Sequence, residues 1–346
     1  YLGINLMILF LSISIAFLLG FYIQYITKDN LFESYINKLI SIAKSKEIPE
    51  LISGKTGYAK NINVKLFYEE LSHCDNPVAT VLLINGAAET MIQWPDQMIR
   101  TILKNNFRVI RFDNRGLGQS DWINNWSNSK SYNLDEMARD SLAVANHLNV
   151  EKFHVIGYST GGMIAQILAI NYPKKILSLT NLMSTGHLFD PEAEAPDKNR
   201  LGQLKKMIFN YRNKDRDIDK VLKFHFKLDH LWHGSDNYVI NQEKQILKTL
   251  YEIKHRKGFN KNAFKQHTKA TKKSGSRYRM LKKIEAPTLI IHGSDDLLIK
   301  PSHSKKMASL IHGSKLFIIK GMGHDFNKNF KNRINILILP HLIANS

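Results

Sequence analysis

The run FHVIGYSTGGMIAQILAINYP, from Phe153 to Pro173, decides the fold. Its first four residues are apolar enough for a strand buried on both faces. From Met163 to Ile170 the spacing turns helical, and Pro173 stops it. Between strand and helix stands Gly157-Tyr158-Ser159-Thr160-Gly161, which fits G-x-S-x-G. Small residues on both sides of a serine let the chain pass from strand to helix through a sharp, strained turn that lifts the hydroxyl above the sheet. The five residues alone are a weak signal. Set between a buried strand and an apolar helix, they mark Ser159 as a nucleophile.

Working outward, the same alternation continues in both directions. Ile62 to Leu71 alternates and reads as an exposed edge strand, and Val78 to Ile84 is a continuous apolar run suited to a core strand. Trp94-Pro95 opens a helix running to about Lys104, and Phe107 to Phe112 returns as a strand. Asn133, with Glu136 three residues on, caps a helix whose apolar positions run from Leu134 to Leu148. Ile176 to Met183, Pro287 to Ile291 and Leu316 to Ile319 are further strands, Ser302 to His312 is a helix ended by Gly313, and an apolar helix near Ile334 to Ile343 closes the chain. Repeated β-α-β alternation means an α/β fold with a mostly parallel sheet between helices. From about His187 to Ile284 the alternation gives way to a lysine-rich, helical pattern, which makes that stretch an insertion. The expected organisation is an apolar segment over 1–27, a spacer helix over 28–56, a core over 57–186, a helical cap over 187–285 and the rest of the core over 286–346.

A serine hydroxyl is a poor nucleophile until a base takes its proton, and a carboxylate must orient that base. Strand Pro287 to Ile291 leads into His292-Gly293-Ser294-Asp295-Asp296, placing two carboxylates past a strand's C-terminal end, where ligands gather in open α/β sheets. Gly321-Met322-Gly323-His324 follows the next strand. Of 14 histidines, His324 alone combines a glycine-flanked loop with the chain order Ser, Asp, His expected for such a site. His154 and His292 fall in or at buried strands and read as structural; His303 and His312 belong to a surface helix. Charge developing on a substrate carbonyl oxygen needs preorganised N–H donors. Thr160, directly after the nucleophile, supplies one, and Ala87 in the small-residue loop Asn85-Gly86-Ala87-Ala88 supplies the other.

Several ordered blocks carry a resemblance: LLINGAAETMIQWPDQM, RVIRFDNRGLGQSD, HVIGYSTGGMIAQILAINYP, PTLIIHGSDDLLI and GMGHDF. Together they resemble the serine α/β-hydrolases, in the branch of aclacinomycin methylesterase and proline iminopeptidase-like hydrolases. The likeness runs from Val64 to His324 apart from the cap. It implies an α/β-hydrolase fold, a Ser-His-Asp triad, no cofactor and no metal, and it selects Asp296 over Asp295 as the acid. Leu297 departs from the pattern, since the family often follows that acid with proline. The turn Asp113-Asn114-Arg115-Gly116 also matches and reads as bracing at the rim of the site. Hydrolysis of a carboxylic ester through an acyl-enzyme is the activity expected; acyl transfer and aminopeptidase chemistry use the same triad, and a noncatalytic binding module is the reading of another class.

Leu2 to Ile26 contains no charged residue and is long enough to span a bilayer, so a single-pass N-terminal anchor is expected, and with it a small-molecule or lipid ester as substrate. The bulky end of this run, Phe21 to Ile26, does not suit signal cleavage. Beyond it, Leu31, Tyr35, Ile36, Leu39, Ile40 and Ile42 approximate helical spacing, as a helix near the membrane surface or packed on the catalytic domain. The net charge of +19 favours anionic surfaces. Its lysines are scattered, without the arginine stripe or stacking aromatics of nucleic-acid readers, and no nucleic-acid partner is expected. His225, Asp229 and His233 stand at four-residue spacing and read as structural or solvated. Cys74 is the single cysteine, which excludes an intramolecular disulfide, and a buried, inert thiol is expected.

Overall fold

A computed structural model describes residues 30–127, 129–211, 217–235, 242–326 and 328–346. The expected anchor over 1–27 lies outside them. No helix among the described residues is long and apolar enough to cross a membrane.

The frame is one eight-stranded sheet: β1 (Lys55–Asn61), β2 (Val64–Leu71), β3 (Thr80–Ile84), β4 (Arg108–Phe112), β5 (Phe153–Tyr158), β6 (Ile176–Leu182), β7 (Thr288–Gly293) and β8 (Lys315–Ile319), in the order β1-β2-β4-β3-β5-β6-β7-β8. β1 pairs antiparallel with β2, and β2 with β4; every other pairing is parallel. β3 and β5 are buried at every residue, as strands covered on both faces must be. The edges are β1 and β8 and not, as the sequence suggested, the strand ending at Leu71. β1 carries one fully buried apolar side chain, Ala59, and so reads as loop.

On one face lie α3 (Leu134–His147) and α4 (Thr160–Asn171), whose apolar residues join Leu82, Ile84, Ile110 and Val155 in one core layer. Asn133 and Glu136 form the expected capping box on α3. On the other face, α2 (Asp96–Lys104) and the C-terminal helical turns through Phe330, Ile334 and Leu342 cover Val81, Leu83, Val109 and Ile156. α4 approaches the sheet so closely that a Cβ on Gly161 would stand 1.9 Å from the Ile84 carbonyl oxygen. Gly161 is therefore required for that packing.

Among the described residues, five helices lie between β6 and β7: α5 (Lys198–Tyr211), α6 (Ile218–Leu231), α7 (Gln242–His255), α8 (Ala263–Ser274) and α9 (Tyr278–Leu281). They make up the cap. The N-terminal helix α1, described over residues 30–44, docks on this layer: Ile36, Ile40 and Ala43 pack with Leu222, Phe226, Ile246 and Leu250. Lys44 pairs with Asp219 at 2.8 Å and Lys46 with Glu243 at 2.6 Å, and Glu33 meets Lys227. Among the described residues the helix packs on the cap. Past it, Leu51 accepts a hydrogen bond from Arg111 on β4 and Ser53 donates to Glu69 on β2, so the strap joins cap to sheet.

Candidate active site

The turn from β5 to α4 holds Ser159 at φ 53°, ψ −119°, a conformation that costs a non-glycine residue about 1–3 kcal/mol and persists only where its surroundings over-determine it. Those surroundings are visible. The Ser159 N–H donates to the Leu182 carbonyl at 2.9 Å, and the Ser184 hydroxyl donates to the Ser159 carbonyl at 2.7 Å. A Cβ on Gly157 would strike the Gly161 carbonyl oxygen at 2.3 Å, so glycine is needed where strand and helix fold back on one another.

Ser159 Oγ and His324 Nε2 stand 3.0 Å apart, and His324 Nδ1 lies 2.6 Å from Asp296 Oδ2. The loop after β8 is fixed by its backbone: the His324 N–H donates to the Trp232 carbonyl of the cap at 2.8 Å, and Tyr158 donates its hydroxyl to the His324 carbonyl at 2.9 Å. Asp296 is buried, and its Oδ1 accepts the N–H groups of Leu298 (2.9 Å) and Ile299 (2.8 Å). Burial alone would raise the Asp296 carboxyl, but the imidazoles of His324 and His292 hold it well below the usual carboxylate range. Burial likewise opposes charge on His324, yet Asp296, by charge and hydrogen bond, with Glu89 and Asp325 beyond, lifts the ring above its ordinary value. The neighbouring Asp295 is a different kind of residue, half-exposed and hydrogen-bonded to Ser235 and Ser294.

Thr160 opens α4, so its N–H points from a helix N-terminus, where partial positive charge accumulates. The loop 85–88 lies against the nucleophile: a Cβ on Gly86 would stand 3.3 Å from Ser159 Cβ and 3.1 Å from the Tyr158 ring. Asn85 anchors the loop's start, accepting from Trp94 Nε1 and donating to the Thr90 carbonyl, both at 2.8 Å. The N–H of Ala88, a residue at φ 59°, donates to His267 Nδ1 at 3.2 Å. The N–H groups of Ala87 and Thr160 donate to no acceptor among the described residues. The turn at Asp113 lies beside this loop: Asp113 accepts the Met91 N–H at 3.0 Å, and Asn114 donates to the Asn85 carbonyl at 3.2 Å.

Further buried groups surround the triad. His292 is buried, lies 3.2 Å from Asp296 Oδ2, and bonds Ser304 and the Ile299 carbonyl. Burial pushes Glu89 up to about 7 and Asp229 up to about 8, and pulls Lys248 down to about 8. His303, expected on a surface helix, is buried on α10 (Pro301–Leu310) and lies 2.8 Å from the Thr185 hydroxyl, because that helix turns its first turn inward. His225 stacks on Phe259 at 3.7 Å and His233 bonds Asp325 at 2.6 Å; no group of three metal-ligating side chains occurs among the described residues. Cys74 is partly exposed in the loop after β2, which carries too little apolar cover to bury it.

Residues 79–329 match the model of the alpha/beta hydrolase fold family. The chain belongs to this family. Among characterised relatives, a rhodomycin D methylesterase of Streptomyces peucetius is 27% identical over 276 residues, covering 76% of this chain and 90% of that protein. A 2-hydroxy-6-oxononadienedioate/2-hydroxy-6-oxononatrienedioate hydrolase of Escherichia coli is 30% identical over 275 residues, covering 78% of this chain and 88% of its own length. Among solved structures, a hydrolase from Pseudomonas aeruginosa superposes with a TM-score of 0.65 at 20% identity, over 84% of this chain and 99% of the other. The α/β-hydrolase is thus a hydrolytic enzyme, like its relatives.

Proposed function

We propose that this α/β-hydrolase cleaves a carboxylic ester through an acyl-enzyme. The observation that carries the reading is the unbroken chain from Ser159 Oγ through the His324 ring to Asp296, with steps of 3.0 and 2.6 Å. Ser159 Oγ attacks the carbonyl carbon while His324 Nε2 takes its proton; Asp296 fixes the tautomer and stabilises the imidazolium. The N–H groups of Ala87 and Thr160 hold the oxyanion. His324 returns the proton to the departing alcohol, and a water activated by the same ring releases the acid. The methylesterase relative supports an ester as the bond attacked. The uncharged run from Leu2 to Ile26 supports attachment to a membrane, and with it a lipid or other hydrophobic ester as substrate.

Ser159→Ala tests the scheme. Turnover of a short p-nitrophenyl ester should fall by about a millionfold, and labelling by a fluorophosphonate should vanish. Hydrolysis at the unaltered rate in that variant would refute the proposal.

A further inference from the structure

The tip of the loop beside Ser159 is held by a residue of the cap. His267, fully buried on α8, accepts the Ala88 N–H at Nδ1 (3.2 Å), and its Nε2 meets the Arg115 carbonyl at 2.9 Å. One nitrogen must then be an acceptor and the other a donor, which is the neutral imidazole with its proton on Nε2. Burial favours that state, pulling the ring down to about 4. Among the described residues no carboxylate hydrogen-bonds the ring; the Tyr132 ring lies 6.2 Å away edge-on, and the His267 carbonyl accepts from Thr271.

The bond falls on a residue whose backbone needs holding. Ala88 has φ 59°, in the left-handed region that a side chain disfavours. Asn85 fastens the loop's start and Asp113 its far side at Met91, both from the core. Between them, the Ala88 N–H is secured by His267, which spans to the Arg115 carbonyl in the bracing turn. With Ala88's N–H engaged there, the neighbouring Ala87 N–H donates to no acceptor among the described residues.

We infer that His267 is a positioning residue: from the cap, it sets the backbone of the oxyanion loop so that the Ala87 N–H meets the tetrahedral intermediate. This rests on the reading of Ser159 and Ala87 given above. The consequence is that the oxyanion hole is complete only while α8 is seated, so the cap takes part in stabilising the transition state besides enclosing the substrate. Loss of His267 should weaken what develops on the carbonyl oxygen and leave ground-state binding nearly alone.

The test uses the full chain, p-nitrophenyl acetate as substrate and phenylboronic acid, which forms a tetrahedral adduct by a bond from Ser159 Oγ to boron. His267→Phe should lower kcat about ten- to a hundredfold, short of the hundred- to thousandfold of losing an oxyanion donor outright. KM should change less than about twofold, and boronate affinity should weaken in step with kcat. His267→Asn, whose Oδ1 can accept the Ala88 N–H, should recover most of the loss. A kcat within about threefold of the unaltered enzyme, a kcat loss without weaker boronate binding, or an asparagine variant no better than phenylalanine would each overturn the inference. If His267→Phe does not fold, His267→Ala takes its place against His267→Asn with the same criteria. Turnover surviving in Ser159→Ala would instead condemn the triad reading, so the two failures are distinguishable.

Discussion

Ser159, His324 and Asp296 are fixed by different means, and that decides how each responds to change. Asp296 keeps its charge because two backbone N–H groups and two imidazoles surround it. Asp296→Asn keeps the shape but reverses the demand on His324 Nδ1, so kcat should fall by about ten-thousandfold with little change in fold. The pH profile should follow. His324 must be neutral to accept the serine proton, and its folded-state pKa is raised above 6.5, so activity rises with pH through a limb above that value. Removing the Asp296 charge should move the limb to lower pH, as steady-state kinetics over pH 5–9 would reveal; an unmoved limb would detach it from His324. Ser159 and His324 were legible because their signals are local, a serine between glycines after a buried strand and a histidine in a glycine loop. Asp295 and Asp296 could not be separated by spacing, since adjacent side chains leave the chain in different directions, one to Ser235 and the other to His324. His267 was illegible because its partner lies 179 residues away.

Among the elements, core strands were readable where both faces are covered, since continuous apolar runs such as Thr80 to Ile84 admit few alternatives. β1 was not, because a strand at the sheet margin with one buried apolar residue lacks a periodic signature. The capping box on α3 was readable, being set within four residues. The close approach of α4 to β3 shows only in coordinates, and it yields a sharp expectation. Gly161→Ala puts a methyl 1.9 Å from the Ile84 carbonyl, and neither helix nor strand can yield without moving Ser159. The cost should reach or exceed the upper end of the ~1–3 kcal/mol usual for overpacking. Urea unfolding of the variant checks this, and a midpoint unchanged from the parent would show that α4 can slide.

At the scale of the molecule, the composition indicated a basic chain and the motifs a hydrolase with a helical insertion, while the way the cap engages the core was beyond both. The cap reaches the loops of the site: Trp232 holds the His324 N–H, Ser235 bonds Asp295 beside the acid, and His267 holds Ala88 and meets the Arg115 carbonyl. None of these has a sequence signature, because each joins segments remote along the chain. The proposed anchor over residues 1–27 predicts that its removal moves the enzyme from the membrane fraction into the supernatant, with short-ester turnover within about threefold of the parent. Sedimentation followed by an activity assay of both fractions checks it, and a truncated chain that still pellets with membranes would contradict the anchor.

The strap formed by α1 and the residues after it adds a mechanical consequence. A roof joined to its floor only where the chain enters and leaves could swing open as a flap. Here, besides the cap's bonds to the loops of the site, a further line is moored to the middle of the roof, at Leu222, Phe226, Ile246 and Leu250, and made fast to the floor at Glu69 and Arg111. Such a mooring opposes a wide swing. Whatever tugs on the strap at residue 30 is therefore felt by the roof before it is felt by the floor.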